Sequence, residues 1–140
     1  MMRTVIAMAL TALAVACSGG QIESLTVDDA QYRAPLVDGG TGVAYFLITS
    51  NTADRITGVS SPLAKTVEIH ESTSTGGMAG MERRDAVELP AGKTVTFGPG
   101  GLHLMVIEPQ RVAAPATFPI QITLESGRVE TISFAGAPAS

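Results

Sequence analysis

The sequence predicts an all-β fold, a sandwich or a barrel, made as a single domain. Three observations carry this. Beyond residue 22 the chain is a series of short runs rich in β-branched and aromatic residues, about ten residues apart. Turn formers separate the runs. Outside the first 16 residues no window shows the 3.6-residue apolar period of an amphipathic helix. In chain order the expected strands are 23–27, 42–49, 55–59, 66–71, 81–84, 86–89, 94–97, 102–107, 118–124 and 129–134. Asp38-Gly39-Gly40 precedes the second, and Ser60-Ser61-Pro62 follows the third. Pro90-Ala91-Gly92 follows the sixth, Gly98-Pro99-Gly100-Gly101 leads into the eighth, and Ser126-Gly127 joins the last two. The Gly-rich stretch 72–80 reads as a flexible connection, and 135–140 as a tail.

Composition narrows the function. The chain has 140 residues, 45% hydrophobic and 16% charged, with a formal charge of −4. That is one domain's length. A mildly acidic chain without a basic block does not suit nucleic acid, which needs clustered Lys and Arg against phosphate. With no Trp and 4% aromatics, base stacking is not the work of this surface. A single cysteine rules out an internal disulfide, a zinc ribbon and a CxxC redox pair. The sequence holds no CxxCH, no phosphate-binding G-x-x-x-x-G-K-[ST], no G-x-S-x-G elbow and no HExxH. Nothing in it points to an enzyme.

Residues 1–16 read as a secretory signal. Arg3 is a positive start, Thr4 to Ala16 is an uncharged apolar run, and Ala14-Val15-Ala16 ends it. That run is shorter than the ~20 residues a spanning helix needs. The only cysteine, Cys17, follows at once, an arrangement that resembles a bacterial lipobox. Lipid attachment at Cys17 and plain secretion both cut at the same bond, and both place the protein outside the cytoplasm. Removing the first 16 of 140 residues leaves 124, long enough to bury a core without disulfides. Residues 17–22 then form a tether and 23–137 the domain.

Strand alternation says where side chains point. In 66–71, Val67 and Ile69 share the core face, while Glu68 and His70 share the other. In 102–107, Leu102, Leu104 and Val106 face the core, while His103 and Met105 face away. Residues two apart on a strand are separated by about 7 Å, so one ion can be gripped by both. Both histidines and every methionine of the mature chain, Met78, Met81 and Met105, fall between positions 70 and 105. Imidazole with uncharged, polarizable thioether is the donor set of Cu(I). Magnesium and calcium prefer oxygen, and zinc would recruit Cys or carboxylate beside His. A blue-copper site needs a Cys thiolate next to two His, and Cys17 lies far from them in the chain.

The spacing itself is specific. His70 is followed by ten residues and then Met81; twenty-one more lead to His103, and Leu104 separates it from Met105. This pattern resembles the motif of the PCu(A)C periplasmic copper chaperones. Val67-Glu68-Ile69-His70, Pro90-Ala91-Gly92 and Pro99-Gly100-Gly101-Leu102-His103-Leu104-Met105 fit the same resemblance, which covers about 23–134. It implies a cupredoxin-like, Greek-key β-sandwich. It implies a single Cu(I) held by His70, Met81, His103 and Met105, with Met78 a further candidate outside the motif. It implies delivery to cytochrome c oxidase assembly, through oxidase subunit II or a thiol-bearing copper insertion protein. The expected molecule is a periplasmic monomer held to a membrane through lipidated Cys17. The tail 135–140 lacks the His and Met that some members use for a second copper. Two other readings stay open: copper sequestration without a dedicated acceptor, and a metal-free structural or assembly lipoprotein. Glu68 and Glu71 flank His70 and either orient its ring or sit as solvated strand charges.

Overall fold

Residues 41–50 show how the sequence becomes a layer. Gly42, Ala44, Phe46, Ile48 and Ser50 are buried and alternate with half-buried Val43, Tyr45, Leu47 and Thr49. This is the period-2 pattern of a strand with one face on the core. In the computed structural model, which describes residues 22–112 and 117–137, that strand is β2 (Thr41–Ser50). Around it are β1 (Leu25–Arg33), β3 (Asp54–Ser60), β4 (Ala64–Thr75), β5 (Met78–Arg84) and β6 (Val87–Leu89). Then come β7 (Thr94–Phe97), β8 (Leu102–Pro109), β9 (Thr117–Leu124) and β10 (Val129–Ala137). The described residues hold these ten strands and no helix.

The strands form one hydrogen-bonded sheet in the order β5-β4-β8-β7-β2-β1-β10-β9-β3-β6, and β8 also pairs directly with β2 beyond the short β7. The sheet folds over so that β3 comes close to β4, and its inner faces share one apolar core. All four phenylalanines and Tyr32 lie in that core. Tyr32 stacks on Phe118 with ring centroids 4.1 Å apart, Phe46 stacks on Phe97 at 4.4 Å, and Phe134 meets Phe46 edge-on at 5.5 Å. The scarce aromatics are thus spent on packing, where each such pair adds about 1 kcal/mol beyond its buried area. Burial raises the Tyr32 hydroxyl pKa above its ordinary value.

All ten expected strands are present, and three expectations change in detail. The stretch 72–80 is not a flexible connection. β4 continues to Thr75, and Gly76 and Gly77 turn the chain with φ of +60° and +80°. β5 then begins at Met78, which pairs with Thr75. A two-residue turn with both φ positive is a type I′ hairpin, which glycine adopts without strain and whose twist matches paired strands. The tail 135–140 is strand as far as Ala137: Ala135, Gly136 and Ala137 pair in parallel with Gln31, Tyr32 and Arg33. β1 is also longer than expected, because a bulge at Asp29 (φ +51°) lets the strand resume its pairing with β2 at Gln31. The expected signal, 1–16, and most of the tether, including Cys17, lie outside the described residues.

The registers also decide which features share an end of the sandwich. Glu71 pairs with Leu102 at the start of β8, and β4 runs on past it to the hairpin turn. β2 runs the same way, from Thr41 opposite Ile107 towards Ser50. Leu25, at the start of β1, pairs with Ser50. Hairpin tip, 98–101 turn and first described residues therefore lie at one end. Asp38, Pro109 and Arg111 lie at the other.

Two expectations test this packing. A Cβ on buried Gly42 would sit 2.8 Å from Tyr32 Cε2 and 2.9 Å from the Arg33 carbonyl oxygen. Gly42→Ala should therefore destabilise the domain by about 1–3 kcal/mol, seen as a lower midpoint in thermal unfolding; an unchanged midpoint would mean that this contact is slack. Asp54 closes the β9–β10 turn by accepting from the Arg55 N–H (2.8 Å), the Ser126 N–H (3.2 Å) and the Ser126 hydroxyl (2.6 Å). Partial burial pushes its pKa up, but these bonds, with Arg128 nearby, outweigh that and hold it below the ordinary value. A depressed carboxyl pKa stabilises the fold above the unfolded-state value, and that contribution is lost as pH falls through the folded value. Asp54→Asn should lower stability at neutral pH by about 1 kcal/mol, given solvent screening, and flatten the acid limb of a stability–pH curve. Parallel curves for both proteins would remove Asp54 from the acid transition.

Candidate metal centre

The site is built by three neighbouring strands. In the antiparallel β4–β8 ladder, His70 lies opposite His103 and Glu68 opposite Met105. Directly opposed residues project to the same side of a sheet. Val67 and Ile69 of β4, with Leu104 and Val106 of β8, project to the other side and are buried in the core. On the outer side of β4, Met81 of β5 lies opposite Ser72 and Arg83 opposite His70. Met81 thus shares the face that carries both histidines and Met105. Met78 lies opposite Thr75 and, by strand alternation, belongs to the opposite face of the hairpin.

Two imidazoles form the centre of this patch, with ring centroids 6.1 Å apart and planes at 41°. One ion about 2 Å from a nitrogen of each ring fits that separation. His103 is only 5% exposed. Its Nδ1 lies 3.0 Å from the Gly101 carbonyl oxygen. A carbonyl only accepts, so Nδ1 carries the hydrogen and Nε2 keeps its lone pair. The same carbonyl accepts the Ser72 N–H at 3.1 Å, so one oxygen ties the β8 entry turn, β4 and the His103 tautomer together. Gly100 makes the turn possible with φ +81°.

His70 is held differently. Its Nε2 lies 2.8 Å from Glu68 Oε2, and a carboxylate only accepts, so Nε2 is the N–H and Nδ1 bears the lone pair. The hydrogen bond from His70 holds the Glu68 carboxyl below its ordinary pKa. Partial desolvation opposes this, and Arg83, 3.9 Å away, adds to it. Glu68 is thus an ionised acceptor that turns the ring. His70 Nδ1 is buried and has no hydrogen-bond partner. A buried lone pair without a donor is unfavourable by about 1–3 kcal/mol, unless something else fills the position. A borderline or soft cation suits an imidazole lone pair beside thioethers.

Exposure rises outward from this centre. His103 is buried, Met105 and His70 are half-buried, and Met81 on the hairpin is 62% exposed. No residue of β5 contributes to the core; the strand is held by its ladder to β4 and by charge pairs of Arg84 with Glu71 and Glu82. Of the two carboxylates flanking His70 in sequence, Glu68 orients the ring, whereas Glu71 pairs with Arg84 on the other face. The Gly101 carbonyl went unread in the sequence, because a backbone acceptor leaves no residue-type signal. Among the described residues no three His, Cys, Asp or Glu converge as a metal-binding group.

A family model described as "Putative lipoprotein LpqE-like" matches residues 25–135, which span every strand but the end of the last. No curated protein matches the chain by sequence. Several solved structures match it in fold. The copper-bound PCuAC domain from PmoF2 superposes with a TM-score of 0.65 at 24% identity, over 83% of this chain and 93% of that one. Apo-DR1885 from Deinococcus radiodurans gives 0.62 at 27% identity, over 99% of this chain and 95% of that one. The CuI form of DR1885 gives 0.57 at 24% identity, over 84% and 76%. The all-β sandwich is thus the cupredoxin-like fold of PCuAC domains, and the chain belongs to the LpqE-like family.

Proposed function

We propose that this protein is an extracytoplasmic copper chaperone that carries one Cu(I) on His70, Met81, His103 and Met105. The observation that carries the reading is the pair of opposed imidazoles, one of them with a buried, unpartnered Nδ1. Structural neighbours described as copper-bound and CuI forms support copper as the cargo. In this reading His70 donates through Nδ1 and His103 through Nε2, each because its other nitrogen is already engaged. Met105 and Met81 add neutral sulfur, which favours the singly charged d¹⁰ ion. Met78 is not among the donors of this reading, since its register gives it the other face.

Transfer follows from the exposure gradient. Met81 is the donor most open to solvent, so a partner ligand replaces it first, and buried His103 lets go last. Thiolate is softer and anionic, so copper moves downhill from His and Met to a cysteine-bearing acceptor. The acceptor we propose is in cytochrome c oxidase assembly, either subunit II or a thiol-bearing insertion protein. The lipoprotein description of the family supports export through residues 1–16 and a lipid anchor at Cys17, on the periplasmic side.

Anaerobic titration of the mature chain with Cu(I) against a chromogenic competitor should give one tight equivalent. Met81→Leu with Met105→Leu keeps side-chain volume and so the fold. It should weaken binding by about tenfold or more for each lost donor, some 1.4 kcal/mol apiece. Equal affinity in the double variant would remove methionine from the site. Glu68→Gln replaces the ionised acceptor and should weaken Cu(I) about 10–100-fold. In the wild type, ¹⁵N spectra should show silver(I), a diamagnetic substitute, shifting Nδ1 of His70 and Nε2 of His103. Shifts on the opposite nitrogens would overturn the assignment.

A further inference from the structure

The chain enters the domain at the metal end. Asn51 fixes that entry: its carboxamide oxygen accepts the Ser24 N–H at 2.8 Å and its NH₂ donates to the Ile22 carbonyl at 2.8 Å. Its own N–H donates to the Ser24 carbonyl at 3.1 Å. Asn51 follows directly on β2, whose last residue, Ser50, pairs with Leu25 and accepts the Gly92 N–H at 2.7 Å. β2 and β4 run the same way along β8, so this clasp and the β4–β5 hairpin tip share one end of the sandwich. From Cys17 to Ile22 is five residues, a reach of at most ~18 Å. β2 alone, ten residues long, spans roughly 30 Å. A lipid on Cys17 therefore cannot bring the opposite end of the sandwich down first.

The surface at the metal end suits a bilayer face. Residues 72–80 and 98–102 carry no charged side chain. Ile22 is 88% exposed and Met78 77% exposed. Away from the hairpin, charges of both signs border that end: Asp54 and Glu125 lie with Arg55 and Arg128 about the β9–β10 turn, where Arg128 also donates to the Glu23 carbonyl at 3.1 Å. The far end carries the exposed pairs Arg111–Asp38 and Lys65–Glu108. Met78, which the proposed copper shell leaves free, is an uncharged, flexible contact for the lipid interface.

We infer that the anchored domain hangs with its metal end toward the bilayer, the neutral tip of the β4–β5 hairpin facing lipid. The inference rests on the reading of Cys17 as the lipid anchor. Copper is then exchanged close to the membrane, and Met81 opens toward it.

Cys17 is the only cysteine, so the mature chain can be coupled there to a maleimide lipid in phosphatidylcholine nanodiscs, whatever the cell does. With a small fraction of gadolinium-bearing lipid, methyl relaxation enhancement reads distance by its sixth power. Given a separation of roughly 30 Å between the ends, the Met78 methyl should relax about tenfold or more faster than those of Leu36 and Val37. Equal or reversed enhancement would overturn the orientation. A long Gly/Ser insert between Gln21 and Ile22 should erase the difference; a difference that survives it would show that the tether does not set the orientation. Mass spectrometry of the chain from host membranes tests the anchor separately: an unmodified Cys17 would sink the lipoprotein reading and leave the nanodisc geometry to stand or fall alone.

Discussion

The antiparallel register of β4 against β8 sets His70 opposite His103 and Glu68 opposite Met105, and the candidate centre depends on it. A slip of one residue would put His70 opposite Leu102 or Leu104 and turn half the donor set into the core. Apolar burial on the inner side guards against that slip, because Val67, Ile69, Leu104 and Val106 would be carried out to solvent. The bond from the Ser72 N–H to the Gly101 carbonyl pins the same alignment from the polar side. Packing and donor geometry are thus two faces of one ladder.

Within that ladder the two histidines are prepared differently. His103 is buried and oriented by a backbone oxygen that already serves a turn. His70 is oriented by Glu68, a charged side chain kept ionised by the ring itself and by Arg83. Both arrangements leave one unprotonated nitrogen on each ring, and burial keeps water from His70 Nδ1. Exposure is correspondingly uneven: His103 lies buried, while Met81 sits on a strand without core contacts.

That arm is a compromise between strand and loop. Gly76 and Gly77 make the I′ turn, and among the described residues β4 is the only strand that pairs with β5. As a sheet edge it is open to pairing with other chains, a hazard that Glu82, Arg83 and Arg84 blunt with charge. Beyond those charges the tip is neutral. The clasp at Asn51 holds Ile22 and Ser24 at the same end, so exposed Met81, the neutral tip and the entry of the chain into the domain share one region of the molecule.

Local pattern was enough for much of this. Alternation and turn residues placed all ten strands, since each inner face must be apolar and each turn needs its own residue types. The same alternation put Glu68 with His70 and His103 with Met105, because a period of two is a property of the strand alone. The spacing from His70 to Met105 singled out the donor candidates. The extent of β4 and β5 was not legible, because Ser-Thr-Ser-Thr-Gly-Gly has the composition of a loop and becomes a hairpin only through its partner strand. Nor was the last turn of pairing in 135–137, where small residues find β1 across the whole length of the chain. Which strands are neighbours and at which end the chain enters were decided by tertiary structure, because they depend on groups distant in sequence, Asn51 against Ile22 and Ser24 among them. The free nitrogen of each ring depends on an acceptor only two residues away, Glu68 for His70 and the Gly101 carbonyl for His103, and the second of these is backbone, whose role no side-chain pattern records.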